Sequence, residues 1–101
     1  MKETFGEYIK KLRTGKGLTL TQLAAQLGLD SANLSKIENG KRNFDKNKLS
    51  KLAEAFDLSN KEVKEEYVSD KLAIHIYEMD CSTELLKVAE EKAEYRRTLK
   101  K

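Results

Sequence analysis

The stretch TLTQLAAQLGLDSANLSKIENGKR, residues 19–42, reads as two short helices joined by a tight turn. Thr19 suits an N-cap, because its hydroxyl can accept from an otherwise orphaned amide at the helix start. Leu23, Ala24 and Leu27 then share one face at helical spacing. Gly28 stands where a helix end favours a left-handed residue without a Cβ. Leu29 plugs the turn, and Asp30 or Ser31 can cap the next helix. That helix buries Leu34 and Ile37, so Ser31, Ala32, Asn33, Ser35 and Lys36 face away from the core, and Asn39-Gly40 ends it. A short helix with small polar side chains on its free face, braced by a second helix, can lie in a DNA major groove.

Before this pair, residues 4–16 predict a first helix. Thr4 with Glu7 is a capping-box pattern, Phe5, Ile9 and Leu12 form a core stripe, and Lys10, Lys11 and Arg13 are expected to face solvent. Gly15 and Gly17 bracket its exit, and Leu18 returns to the core. After the pair, Lys41-Arg42-Asn43 reads as a loop with Phe44 as its apolar anchor. Asp45 then caps a fourth helix over about residues 46–56, with Leu49, Leu52, Ala53 and Phe56 inside, and Leu58 closes the core.

Ser59 with Glu62 is another capping-box pattern, so a fifth helix starts with no flexible linker, and Val63, Tyr67 and Val68 give it an apolar side. Ser69-Asp70 is expected to restart the chain as a new helix running to about residue 79. Leu72, Ile74, Ile76 and Tyr77 make that segment apolar on more than one side, so it needs cover from a partner. Asp80-Cys81-Ser82 breaks the pattern, and Ser82 or Thr83 caps a last helix. There Leu85, Val88, Lys92, Tyr95 and Leu99 recur at 3-4-3-4 spacing, two heptads with a lysine in the seam, too few for a coiled coil. The tail from Arg96 to Lys101 is expected to fray. These readings give a helix-turn-helix domain over residues 1–68 and a helical extension over residues 69–101, for dimerisation or partner binding.

With 101 residues, 39% hydrophobic and 37% charged, the chain has room for one small core under a wet surface. No proline, five glycines and no low-complexity run favour a helical chain over a disordered one. No apolar run approaches the roughly 20 residues that span a bilayer, and the start MKETFGEYIKKL carries acids and no hydrophobic region of the secretory kind. A single cysteine cannot form an internal disulfide, which suits a reducing cytoplasm. Charge is uneven. Residues 1–58 hold eleven Lys/Arg against seven Asp/Glu, and residues 59–101 hold nine against ten. The densest basic run, residues 36–51, contains Lys36, Lys41, Arg42, Lys46, Lys48 and Lys51 against Glu38 and Asp45. It overlaps the helix proposed to read DNA, as a nucleic-acid footprint would.

Leu18-Thr19, Gln22-Leu23-Ala24, Leu27-Gly28, the run from Leu34 to Arg42 (LSKIENGKR) and Leu52-Ala53 resemble the Xre family of phage-repressor and Cro-like helix-turn-helix proteins. The resemblance covers roughly residues 5–58. It implies an all-α, compact five-helix lambda-repressor-like DNA-binding domain, here with a C-terminal helical extension, that regulates transcription as a homodimer on a palindromic operator. Size and layout also look like restriction–modification controller proteins. By family position, base contacts fall at Ser31, Ala32, Asn33, Ser35 and Lys36. Leu20 departs from the family, which often carries Gln there for a phosphate contact.

The chemistry of these residues agrees. Asn33 can pair with adenine, Lys36 can donate to guanine, Ser31 and Ser35 are adaptable, and Ala32 can touch a thymine methyl. The plain alternative for Ser31 and Asn33 is helix-start chemistry alone. Thr19 and Gln22, at a helix start that favours an anion, form one expected phosphate clamp. Asn39, Lys41, Arg42, Asn43 and Lys46 form the other, and the plain alternative for each lysine is a solvated loop. Glu38 is expected to be structural, pairing with Arg13 or Arg42. His75 has no second ligand at metal spacing, Cys81 reads as a plain thiol, and Tyr8, Tyr67, Tyr77 and Tyr95 read as core or interface residues. No metal, cofactor or catalytic constellation is expected, so the chain is not read as an enzyme. The alternative function is an antitoxin or adaptor whose residues 59–101 hold a partner protein.

Overall fold

Thr4 opens the first helix as its sequence promises: its hydroxyl accepts from the Glu7 amide at 3.1 Å, and the Glu7 carboxylate accepts from the Thr4 amide at 2.9 Å. The computed structural model describes residues 2–99, and within them the chain forms six α-helices and one 3-10 turn. They are α1 (Phe5–Gly15), α2 (Leu20–Leu27), α3 (Ser31–Glu38), α4 (Leu49–Ala55), α5 (Asn60–Glu78) and α6 (Leu85–Leu99). The 3-10 turn, Lys46–Lys48, leads into α4. Asp45 caps it, accepting from the Asn47 amide, so the expected helix start is right while its first turn is wound tighter than an α-helix.

The chain divides between Asp70 and Lys71 into two compact units. In the first, α3 packs against both α1 and α2, and α4 packs against α2. Their apolar stripes meet in one core of Phe5, Tyr8, Ile9, Leu23, Ala24, Leu27, Leu34, Ile37, Phe44, Leu49, Leu52, Ala53 and Val63. Phe44 is the loop anchor expected of it. Its ring meets Phe5 edge-on at 5.5 Å, and its carbonyl accepts from the Tyr67 hydroxyl at 3.2 Å. Phe5 also meets Tyr67 edge-on, so one aromatic cluster ties α1, the loop and the first half of α5 together.

Three expectations fail here. Arg13 does not face solvent; it lies beneath the surface against Glu38. Val68, expected to share the apolar side of the fifth helix with Val63 and Tyr67, is exposed. The helix does not restart at Ser69-Asp70, because α5 runs unbroken across it. Neither residue is a proline or glycine, and the Ser69 hydroxyl is absorbed by donating to the Glu66 carbonyl one turn back.

The second unit comprises the end of α5, a break and α6. Asp80, with φ 54°, turns the chain, and the Ser82 hydroxyl accepts from the Glu84 amide ahead of α6. No described side chain from residue 71 to residue 99 is buried. Leu72, Ile74, Tyr77, Met79, Leu86, Val88, Tyr95 and Leu99 are all exposed, so Tyr77 and Tyr95 are not core residues in this chain alone. α6 stays helical to Leu99, against the expected fraying from Arg96; Lys100 and Lys101 lie outside the described residues. Among the described residues, no helix is long and apolar enough to cross a membrane.

Candidate nucleic-acid interface

α3 is built to be held from behind. Leu34, Ile37 and Glu38 are buried, while Ser31, Ala32 and Lys36 are exposed and Asn33 and Ser35 lie half-buried. Glu38 is a charged residue only 6% exposed, so it needs a partner, and Arg13 supplies a fork of two hydrogen bonds at 2.8 and 3.0 Å. A third Arg13 nitrogen donates to the Leu18 carbonyl at 3.0 Å. Those bonds to Glu38 push the guanidinium pKa further up, so the charge is fixed. Of the two partners open from sequence, Arg13 and Arg42, the structure selects Arg13. One ion pair thus links α1, the loop before α2, and the last residue of α3.

The helix start is equally determined. Asp30 is the cap, accepting from the Asn33 amide at 2.7 Å. Its second carboxylate oxygen accepts from Asn33 Nδ2 at 3.2 Å, and Asn33 Oδ1 in turn accepts from an Arg42 nitrogen at 2.7 Å. Asn33 and Arg42, nine residues apart, are therefore brought together, one from the expected base-reading set and one from the expected phosphate set. At the far end, Asn39 donates its side-chain amide to the Ser35 carbonyl, and the Lys41 amide closes on the Lys36 carbonyl at 2.8 Å. Gly40, at φ 76°, makes that turn.

Thr19 and Gln22 also come together, in a reciprocal capping box at 3.1 and 2.8 Å. The amides of Leu20 and Thr21 are left without partners in the helix ladder, at the positive end of α2. The pattern Thr-x-x-Gln is a sequence signal for this box that the sequence reading passed over. It also passed over the link from Asp30 to the Asn33 side chain, and the burial of Arg13. For Arg13 the signal is spacing, since it follows Ile9 by four residues.

Lys41, Arg42, Asn43 and Lys46 are exposed on and after the α3 exit, and Asn39 is exposed beside them. The basic run is nevertheless split. Lys48 and Lys51 bring their ammonium groups to Gly28, 3.3 and 3.7 Å from where a Cβ there would sit, at the carboxyl end of α2. A lysine at a helix carboxyl end suits the dipole. Among the described residues, no three His, Cys, Asp or Glu side chains gather as a metal site, and Cys81 is a free, exposed thiol.

Comparison with known proteins agrees with this geometry. The family model described as Helix-turn-helix matches residues 9–60. The HTH-type transcriptional repressor RghR of Bacillus subtilis (strain 168) is 46% identical over 57 residues, which is 55% of this chain and 42% of that protein. The chain thus matches less than half the length of that relative. Among solved structures, the restriction–modification controller protein C.AhdI from Aeromonas hydrophila is 39% identical with a TM-score of 0.53, over 58% of this chain and 89% of that one. The controller protein C.Esp1396I is 29% identical with a TM-score of 0.53, over 67% and 87%. The all-helical fold is the lambda-repressor-like one of these controllers. The capped pair α2–α3, the ion pair behind it and the matched residues 9–60 carry one conclusion: the chain belongs to the helix-turn-helix family, in its Xre-like branch.

Proposed function

We propose that this protein is a sequence-specific transcription regulator that occupies a palindromic operator as a homodimer in the cytoplasm and controls its own gene, as a restriction–modification controller would. The observation that carries the reading is the free face of α3. It is short, capped, polar and exposed, and it is braced by the Arg13–Glu38 pair. In this reading Ser31, Ala32, Asn33, Ser35 and Lys36 meet base edges. Thr19 and Gln22, with the free amides at the start of α2, hold one phosphate strand; Asn39, Lys41, Arg42, Asn43 and Lys46 hold the other. The activity is occupancy of DNA rather than catalysis. Two copies associate through residues 59–79, where Leu72, Ile74 and Tyr77 are exposed, and the two half-sites of such an operator lie about one DNA turn, roughly 34 Å, apart.

The decisive experiment is a footprint of the purified protein on the DNA upstream of its own gene, at near-physiological salt. A protected, two-fold symmetric site is the expected result. Absence of protection by a folded protein would overturn the reading. It would favour the second one, an antitoxin or adaptor whose residues 59–101 bind another protein. A specific observation supports that alternative: an open recess in the second unit is lined by Ala73, Ile76, Tyr77 and Cys81 together with Glu78, Asp80 and Thr83.

A further inference from the structure

The hydrogen bonds around Asn33 admit one orientation of its amide. Arg42 carries only donors, so the atom that meets it at 2.7 Å is the oxygen, Oδ1. Asp30, as a carboxylate, only accepts, so the atom that meets its Oδ2 at 3.2 Å is Nδ2. A flipped amide would set donor against donor at one end and acceptor against acceptor at the other. Each Asn33 atom also keeps one valence: a second lone pair on Oδ1 and a second proton on Nδ2. An acceptor beside a donor is what the major-groove edge of adenine requires, its N6 amino group giving to the oxygen and its N7 taking from the nitrogen.

We infer that Arg42 is a positioning residue that sets base specificity through Asn33, fixing the side-chain amide in the sense that reads adenine. This rests on the proposed reading of α3 as the helix that meets base edges. The sequence alone puts Arg42 in the loop beyond α3 and groups it with Lys41 and Asn43 as a phosphate contact. The structure gives it a second role, because its guanidinium also donates to a residue on the reading face. An amide already held at both ends loses less freedom when it meets its base than a free one.

The test uses the full chain and a set of duplexes: the footprinted operator, and versions with one base pair changed at a time. Affinity is measured by fluorescence anisotropy at one salt concentration for wild type, Asn33→Ala, Arg42→Ala and the double variant. Asn33→Ala identifies the base pair at which discrimination collapses, by about 5- to 150-fold for a good bidentate pair. Arg42→Ala is expected to lose discrimination at that same base pair and at no other, and the double variant to discriminate no worse there than Asn33→Ala. A loop lysine such as Lys41, replaced by Ala, should weaken every duplex by one common factor. Arg42→Ala behaving in that way, with the ratio at the Asn33 base pair intact, would overturn the assignment while leaving α3 as the reading helix. A wild-type protein that binds all duplexes alike would overturn the reading of α3 itself.

Discussion

Arg13 follows Ile9 by one helical turn, so it lies along the edge of the stripe that fills the core rather than on the solvent side. Sequence reading placed it in solvent because charge is the stronger local signal, and nothing local announces a carboxylate 25 residues away. Glu38→Ala tests what the pair does. Removing one member of a buried ion pair leaves the other charge uncompensated, at a cost of ~3–5 kcal/mol. Urea unfolding should show that loss in the midpoint with little change in slope. Tyr8 poses the opposite problem. Its hydroxyl is buried without a hydrogen-bond partner among the described residues. Burial, reinforced by the charges of Glu62, Glu66 and Glu3, pushes its pKa up to about 12. The unfolded chain therefore loses this proton near pH 10 while the folded one keeps it. Stability contributed by the neutral phenol is complete below pH ~10 and is lost as pH rises towards 12. Tyr8→Phe, which removes an unsatisfied group, should be neutral or stabilising at pH 7. Its stability profile should also fall less steeply than wild type through the alkaline range, as thermal melts across pH would register.

Helix boundaries were readable where they depend on residues three or four apart. Thr4–Glu7, Thr19–Gln22 and Asp30–Asn33 each satisfy amides that the helix cannot, and Gly28 ends α2 at φ 72° as its lack of Cβ allows. Ser69-Asp70 misled because serine and aspartate favour caps without requiring them, and a hydroxyl can return its bond to the helix. How elements approach one another was not readable at all. Gly6 looks like an ordinary residue in α1, yet a Cβ on it would lie 2.4 Å from the Ile37 carbonyl oxygen and 2.8 Å from that of Glu38. Its small size lets α1 close on the end of α3, where the Glu38 side chain must meet Arg13. Gly6→Ala favours α1 by propensity, by about 1 kcal/mol. It should nevertheless destabilise the protein by ~1–3 kcal/mol, because backbone atoms cannot step aside as a side chain can. The check is a comparison of chemical unfolding with Gly15→Ala, where nothing lies within 4 Å of the new Cβ and no such loss is expected.

At the scale of the molecule, the two units differ in what they bury. The first closes a core around six fully buried large side chains, and the buried face of α3 was readable because Leu34 and Ile37 recur at helical spacing. The second carries Tyr77 at 85% exposure, Met79 at 72%, Tyr95 at 63% and Leu99 at 60%, with Leu72, Ile74, Leu86 and Val88 also exposed. Sequence reading identified the segment with Leu72, Ile74, Ile76 and Tyr77 as apolar on more than one side, but a single chain contains no information about the surface that covers it. A segment this short rarely holds a fold on its own burial, since stable cores are uncommon below about 40 residues without added support. Association would supply the missing burial, at roughly 25 cal/mol for each Å² of apolar surface removed from water. If the cover is a second copy, sedimentation should report a dimer whose population rises with concentration. Val88→Glu together with Ile74→Glu should convert it to monomer, since each would bury an unpaired charge at the contact. The first unit should keep its melting transition in that variant, because neither residue belongs to its core. Operator affinity should then fall steeply, as two linked half-site contacts become one and the second loses its effective concentration. A variant that stays dimeric would move the association elsewhere on the chain. A wild type that is monomeric at every concentration would assign the apolar surface to another protein.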